Sequence, residues 1–228
     1  MPTGHSKVHQ REFWSPPFRL LVFLLAGTSI WCLLAQFYGL CSMRTFTLFI
    51  SLPALLMLLA LAFADRANGT ERLWRGVAIG SVAGLIAAIA YDVFRVPFVF
   101  ANTLGLAQVV PQLRLFKVFP RFGAMILGQP LDQTTYSLAA HLTGWTYHFS
   151  NGLTFGIMYL AMIGDANKRH WGWAVLLAAG LELGMLFTPY PTLFGIHTTA
   201  QFVSVTLAAH IVFGVVLGLL VRRLSRAP

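Results

Sequence analysis

Residues 141–159 read HLTGWTYHFSNGLTFGIMY. The stretch is apolar over the length that crosses a bilayer as a helix, about 20 residues. Yet it carries His141, His148 and Asn151, and Gly144, Gly152 and Gly156 run beside them. A plain anchor needs none of these. Polar side chains inside a bilayer are expensive and ordinarily face neighbouring helices or a functional site. The remaining chain is therefore read as helices organised around this one.

Composition agrees. The 228 residues are 57% hydrophobic and 10% charged, against about 25% charged in a soluble domain. This is the profile of an integral membrane protein with one domain. Apolar runs fall at 18–40, 46–64, 74–98, 137–163, 170–190 and 200–221. Lipid admits only helices or closed barrels, and runs this long without alternation mean helices. The expected fold is all-α and polytopic, with six transmembrane helices. Residues 1–17 form a short polar tail ending in Pro16-Pro17, and 222–228 a basic one. The first run is too long for a signal-peptide core and lacks a small-residue cleavage site, so it is read as retained.

Orientation follows from the 16 Lys and Arg residues. Lys7, Arg11, Arg19, Arg66, Arg72, Arg75, Lys168, Arg169, Arg222, Arg223 and Arg226 fall on one side of the six spans. Arg44, Arg95, Arg114, Lys117 and Arg121 fall on the other. The positive-inside rule places both termini in the cytoplasm. Trp14, Trp74, Trp171 and Trp173 then mark the inner interface and Trp145 the outer, while Trp31 fits neither belt. The net charge of +9 flanks apolar spans. It is read as topology signal and contact to anionic lipid, not as a nucleic-acid surface. The partner implied is the lipid bilayer, with a membrane-protein partner or a second copy left open. Cys32 and Cys41 would lie about 13 Å apart on one helix, too far for a disulfide.

The outer segment 99–136 contains PQLRLFKVFPRF at 111–122. Arg114, Lys117 and Arg121 recur at helical spacing among Leu115, Phe116, Phe119 and Phe122. One reading is an amphipathic helix lying in the headgroups, started by Pro111 and broken by Pro120. The other is an irregular lid over the outer mouth of the bundle.

Glycines four apart recur in four spans: Gly76, Gly80 and Gly84; Gly152 and Gly156; Gly180 and Gly184; Gly214 and Gly218. Small residues let membrane helices approach closely. The pattern predicts a compact bundle of spans three to six, with the first two packed outside it. At 100° per residue, His148 lies about 40° from Gly152 and His210 about 40° from Gly214. Asp92 lies about 80° from Gly84, and Glu182 about 160° from both Gly180 and Gly184. By helical rise, His148, Glu182 and His210 reach a similar depth. The expected site has two tiers, with Asp92, Arg95 and His141 above and His148, Glu182 and His210 at the middle. Asn151 lies one turn below His148. His197 sits in the outer loop, where it is either an entrance guard or simply solvated.

Three readings of these residues stay open. They are interhelical hydrogen bonding alone, as in a structural or assembly subunit; a metal site of His148, Glu182 and His210, or a haem clasped by two histidines; and a proton or small-solute path, since histidine titrates near neutrality. No HExxH zinc motif, GxSxG elbow or Gly-rich phosphate loop occurs.

Within 138–223, His141 and then His148, followed by Phe155 and Tyr159, are the first matching features. Trp171 or Trp173 precedes a glycine-containing span, and Ala209-His210 leads to Arg222-Arg223. In these features the chain resembles the YagU-like family of small bacterial inner-membrane proteins. That resemblance implies an acid-tolerance context, which suits proton-linked chemistry.

Overall fold

The computed structural model describes residues 14–226, so most of the expected N-terminal tail and the last two residues lie outside it. Among the described residues the structure is helical, without strands. The elements are α1 (Pro16–Ala26) and α2 (Thr28–Phe37); α3 (Met43–Ala67) and α4 (Arg72–Val99); α5 (Val118–Leu127) and α6 (Leu138–Ile163); and α7 (Gly172–Leu186), α8 (Tyr190–Leu193) and α9 (Ala200–Leu224).

Three helices, α3, α4 and α9, are long and apolar enough to cross a membrane, or four crossings if α1 and α2 count as one broken span. Leu56, Phe63, Val82, Ile86, Val93, Leu176 and Leu219 stand exposed on the outside. In water such a surface would aggregate, and in lipid it is the favourable one. These are the features of a membrane protein. The first expected span is not a single helix. It bends by 54° between α1 and α2. The break is at Gly27, where the indole of Trp31 packs and its Nε1–H donates to the Leu24 carbonyl at 3.3 Å. Trp31, which fits neither aromatic belt, thus has a local structural role. Helix α7 has 15 residues, short for a span, and α6 is long but not apolar enough to be a candidate.

Helix α6 can carry that polarity because it sits at the centre, packed against α4, α5 and α1. It runs antiparallel to α4 with glycine facing glycine. A Cβ at Gly80 would meet the backbone of Gly156 and Ile157, and one at Gly84 or Gly156 would strike the opposing backbone. Gly214 and Gly218 of α9 similarly lie against the backbone of Ala174, Val175 and Trp171 at the start of α7. The expectation fails for Gly180 and Gly184, whose Cβ positions meet no atom within 4 Å. The seam of α7 is instead Ala174, Ala178 and Glu182, all buried. That resolves the angular misfit of Glu182: the helix presents its carboxylate to α9 and turns its glycines away.

Only one of the first two spans packs outside. Helix α3 is largely exposed, whereas α1 lies directly on α6. Arg19 on α1 donates from Nε to the Ala161 carbonyl at 2.8 Å and from Nη2 to that of Met162. It thereby satisfies orphan carbonyls at the C-terminus of α6, where a cation is also favoured by the helix dipole. At the same end, buried Asp65 accepts from the backbone N–H of Leu73 at 2.7 Å and Trp74 at 3.1 Å. It caps the first turn of α4 from the preceding helix and locks the α3–α4 hairpin. Arg66, Arg72, Arg75, Lys168, Arg169, Arg222, Arg223 and Arg226 gather at this end, the basic end.

Replacing Gly156 by Ala is expected to cost about 1–3 kcal/mol through overpacking. Gly180→Ala is expected to be neutral or slightly stabilising. Denaturant titration in detergent micelles measures both. Asp65→Ala is expected to cost about 2 kcal/mol in the same assay, because the α4 cap is lost and its N–H groups stay buried.

Candidate functional site

The end opposite the basic one holds a cavity of about 630 Å³. Its walls come from α4, α6, α7 and α9, and from the segment that leads into α5. That segment is neither of the forms expected for it in full. A short 3₁₀ turn (Leu115–Lys117) leads into α5, whose Phe119, Phe122, Gly123, Ala124 and Met125 are buried. A Cβ on Gly123 would strike the backbone of Ala140 and Gly144 on α6. A helix lying in the headgroups would not pack backbone to backbone on the bundle core, so the lid is the better description. Pro120 does not break α5. It occupies the first turn, where an absent N–H leaves no helical bond unmade.

Two histidine–carboxylate pairs stand in the wall. On one side His148 Nε2–H donates to Asp92 Oδ2 at 2.8 Å. A carboxylate only accepts, which assigns that proton to His148. On the other side His210 Nδ1–H donates to the Thr206 carbonyl one turn back on α9 at 2.9 Å. Glu182 Oε2 lies 3.6 Å from the same nitrogen, within ion-pair but beyond hydrogen-bond distance. Between the pairs stands Tyr91. Its ring centroid is 5.9 Å from that of His148 and 4.9 Å, edge to face, from that of His210.

Arg95 completes the cluster. Its Nη1 donates to the Tyr91 hydroxyl at 2.7 Å, and its Nη2 lies 3.4 Å from Asp92 Oδ1. The guanidinium is stacked over the rings of Tyr91, Phe116 and Phe119, at 4.3, 4.9 and 5.2 Å from their centroids. Arg95 is 3% exposed. Even so, its Nε and Nη2, together with Asp92 Oδ1 and Asn151 Oδ1, are buried and make no hydrogen bond among the described residues.

The two expected tiers therefore merge. Asp92 reaches His148 directly, and Arg95 sits beside both. His141 is not part of the site: it is exposed and does not line the cavity. His141 lies on the same face of α6 as His148 but two turns nearer its start, in the first turn of the helix, where it is exposed. Asn151 lines the cavity, and exposed His197 stands at its mouth. The proposed ligand triad of His148, Glu182 and His210 is not assembled. Among the described residues no group of three or more His, Cys, Asp or Glu side chains is placed to hold a metal ion. His148 is committed to Asp92, and the Tyr91 ring stands against both imidazoles, where a haem clasped between them would have to lie. Cys32 and Cys41 are free thiols, and Cys41 lies beyond the end of α2 instead of sharing one helix with Cys32.

Sequence reasoning missed Tyr91 as the divider. Its signal was its place next to Asp92 and four residues before Arg95, one turn of the same helix. It left Arg121 open between a headgroup helix and a lid; Arg121 lines the cavity and donates from Nη1 to the Phe194 carbonyl.

No protein-family model matches the chain, and neither the curated proteins nor the solved structures compared with it yield a match.

His148→Ala is expected to lower stability by about 2–3 kcal/mol, because it leaves the buried Asp92 carboxylate without its strongest donor. In a double-mutant cycle with Asp92→Asn, the two losses are expected to fall short of additivity by about 1 kcal/mol or more. Unfolding titrations of the four proteins give that coupling directly.

Proposed function

We propose that the chain is a multi-pass protein of a cell inner membrane that binds a small solute in the cavity at its outer end. In this reading the six apolar runs are six crossings with both termini cytoplasmic, and the basic end faces the cytoplasm as the positive-inside rule requires. The broken α1–α2 span and the short α7 count as crossings because both stand antiparallel to neighbours in the bundle. Arg19 meets Ala161, and Glu182 lies beside His210.

The observation that carries the proposal is the cavity of about 630 Å³ with ionisable side chains in its wall. Pockets of this size take small molecules, holding them by apolar surface and orienting them by a few polar groups. The exposed residues Gln112, Arg114, Lys117, His197, Thr199 and Gln201 rim its mouth. Phe155 and Phe213 lie farthest from the mouth along α6 and α9, and their rings meet edge to face at 6.0 Å as a floor.

Solute binding is favoured over a proton relay through the bundle by what lies beneath that floor. Asp65, Asp92, Arg95 and Glu182 are the buried charged residues among those described, and Asp65 belongs to the basic end. Between the histidines and that end, α4 and α6 touch backbone to backbone at Gly80 and Gly156. In that stretch the titratable side chain among the described residues is Tyr159, packed in an apolar cluster, and α4 and α6 leave no gap between them.

Thermal unfolding of the purified protein against a panel of neutral, cationic and anionic small molecules tests the proposal. A molecule present at about 100 times its Kd stabilises by about 2.7 kcal/mol. At least one is expected to do so, and Asn151→Phe, which fills the cavity from α6, is expected to abolish the effect. If no molecule stabilises the wild type, or the variant responds equally, the cavity is not a binding site.

A further inference from the structure

We infer that the solute is an anionic amphiphile, with an oxyanion held at Arg95 and an apolar body reaching towards Phe155 and Phe213. This deepens the solute-binding reading and rests on it.

The charge around the cavity is lopsided. Arg95, Arg114, Lys117 and Arg121 line it, and among the described residues the one acidic side chain lining it is Glu182. Asp92, just behind Arg95, lowers the excess without cancelling it. The arginine is also incompletely used. Its partner Asp92 spends Oδ2 on His148, and the remaining oxygen lies 3.4 Å from Nη2. That is longer than the roughly 2.7–2.9 Å of a charge-assisted hydrogen bond. Nε and Nη2 are thus buried donors without acceptors on a side chain that lines a cavity. A buried unsatisfied donor on a charged group is costly, and the cost is relieved by a ligand that accepts from it. Guanidinium recognises carboxylate and phosphate through paired, parallel hydrogen bonds, which Nε and Nη2 can supply together.

Three aromatic rings hold the guanidinium plane in place, so little side-chain entropy remains to be lost on binding. Arg114 and Lys117, exposed at the rim, would draw an anion in from outside. A free inorganic anion would leave the rest of the cavity unexplained. Beyond Arg95 the wall is largely apolar: Ile30, Leu33, Ala88, Leu181, Phe155 and Phe213. Such a wall suits a hydrocarbon body. The oxyanion could be a lipid headgroup from the bilayer or an amphipathic acid from solution, and Arg95 would recognise either through the same chemistry.

Binding is measured on the whole protein in phosphatidylcholine nanodiscs, with octanoate, octyl phosphate, octyltrimethylammonium and inorganic phosphate as probes. The two octyl anions are expected to bind at least about tenfold more tightly than the cation. Arg95→Gln is expected to remove that preference, while Arg223→Gln at the opposite end leaves it intact. Because Arg95 is buried, the exposed pair Arg114→Gln and Lys117→Gln provides a second measurement. It is expected to slow association of the anions with an unchanged melting temperature. Mass spectrometry of lipids carried through purification separates the sources. An anionic lipid present in the wild type and lost in Arg95→Gln identifies the bilayer; no such lipid, with octanoate still binding, identifies solution.

The inference is overturned if the cation binds as tightly as the anions, if Arg95→Gln binds the octyl anions unchanged, or if inorganic phosphate binds as well as octyl phosphate. In the first two cases the cavity still binds a solute and only its anionic class is lost. If no probe binds and Asn151→Phe changes nothing in the wider panel, the solute-binding reading falls as well.

Discussion

The approach of α4 and α6 at glycine governs this structure. Gly80 and Gly84 meet Gly156 and Gly152 so closely that no side chain fits between the backbones. In lipid no hydrophobic force draws helices together, so packing at short range has to do so. The contact also fixes register. With Gly84 opposite Gly152, a further two turns along α4 and one back along α6 bring Asp92 to His148. A 2.8 Å hydrogen bond between helices 56 residues apart in sequence follows from that register.

The rest of the bundle is arranged to let α6 be polar. Helix α1 clamps its C-terminus through Arg19, and Trp14 Nε1 reaches the Gly164 carbonyl at 3.3 Å. Helix α5 covers the half at the cavity end through Gly123 and Gly144. Enclosed on these sides, His148 and Asn151 face protein and cavity instead of lipid. The apolar surface that lipid requires is displaced onto α3, onto the outer faces of α4 and α9, and onto α7. The cavity exists because α7 approaches α9 tightly only near the basic end. At the other end α8 and the start of α5 fill the space only in part.

The division of labour between the ends has a chemical basis. At the basic end Asp65 caps α4 and Arg19 caps α6, and among the described residues Arg222 Nε is the buried side-chain atom there left without a partner. At the cavity end matching is incomplete around Arg95, Asp92 and Asn151. Buried polar groups in proteins are ordinarily satisfied. A cluster of unsatisfied ones in a single cavity wall marks the place where the protein meets something else.

Hydropathy and helical period alone made several things legible: the all-helical membrane character, the helix bounds to within a few residues, the glycine faces of α4, α6 and α9, and the common depth of His148, Glu182 and His210. These are properties of one helix at a time, so local sequence determines them. The tertiary structure decided which faces meet. It left His141 exposed at the start of α6, set Tyr91 between the histidines, gave His148 to Asp92, bent the first span at Gly27, and folded α5 onto α6. A glycine stripe states that a helix can be approached closely, but not by which neighbour or at what rotation. Gly180 and Gly184 carry the same pattern as Gly152 and Gly156 and pack against nothing. Contacts between helices depend on register and rotation summed over the whole bundle, and no single segment encodes them.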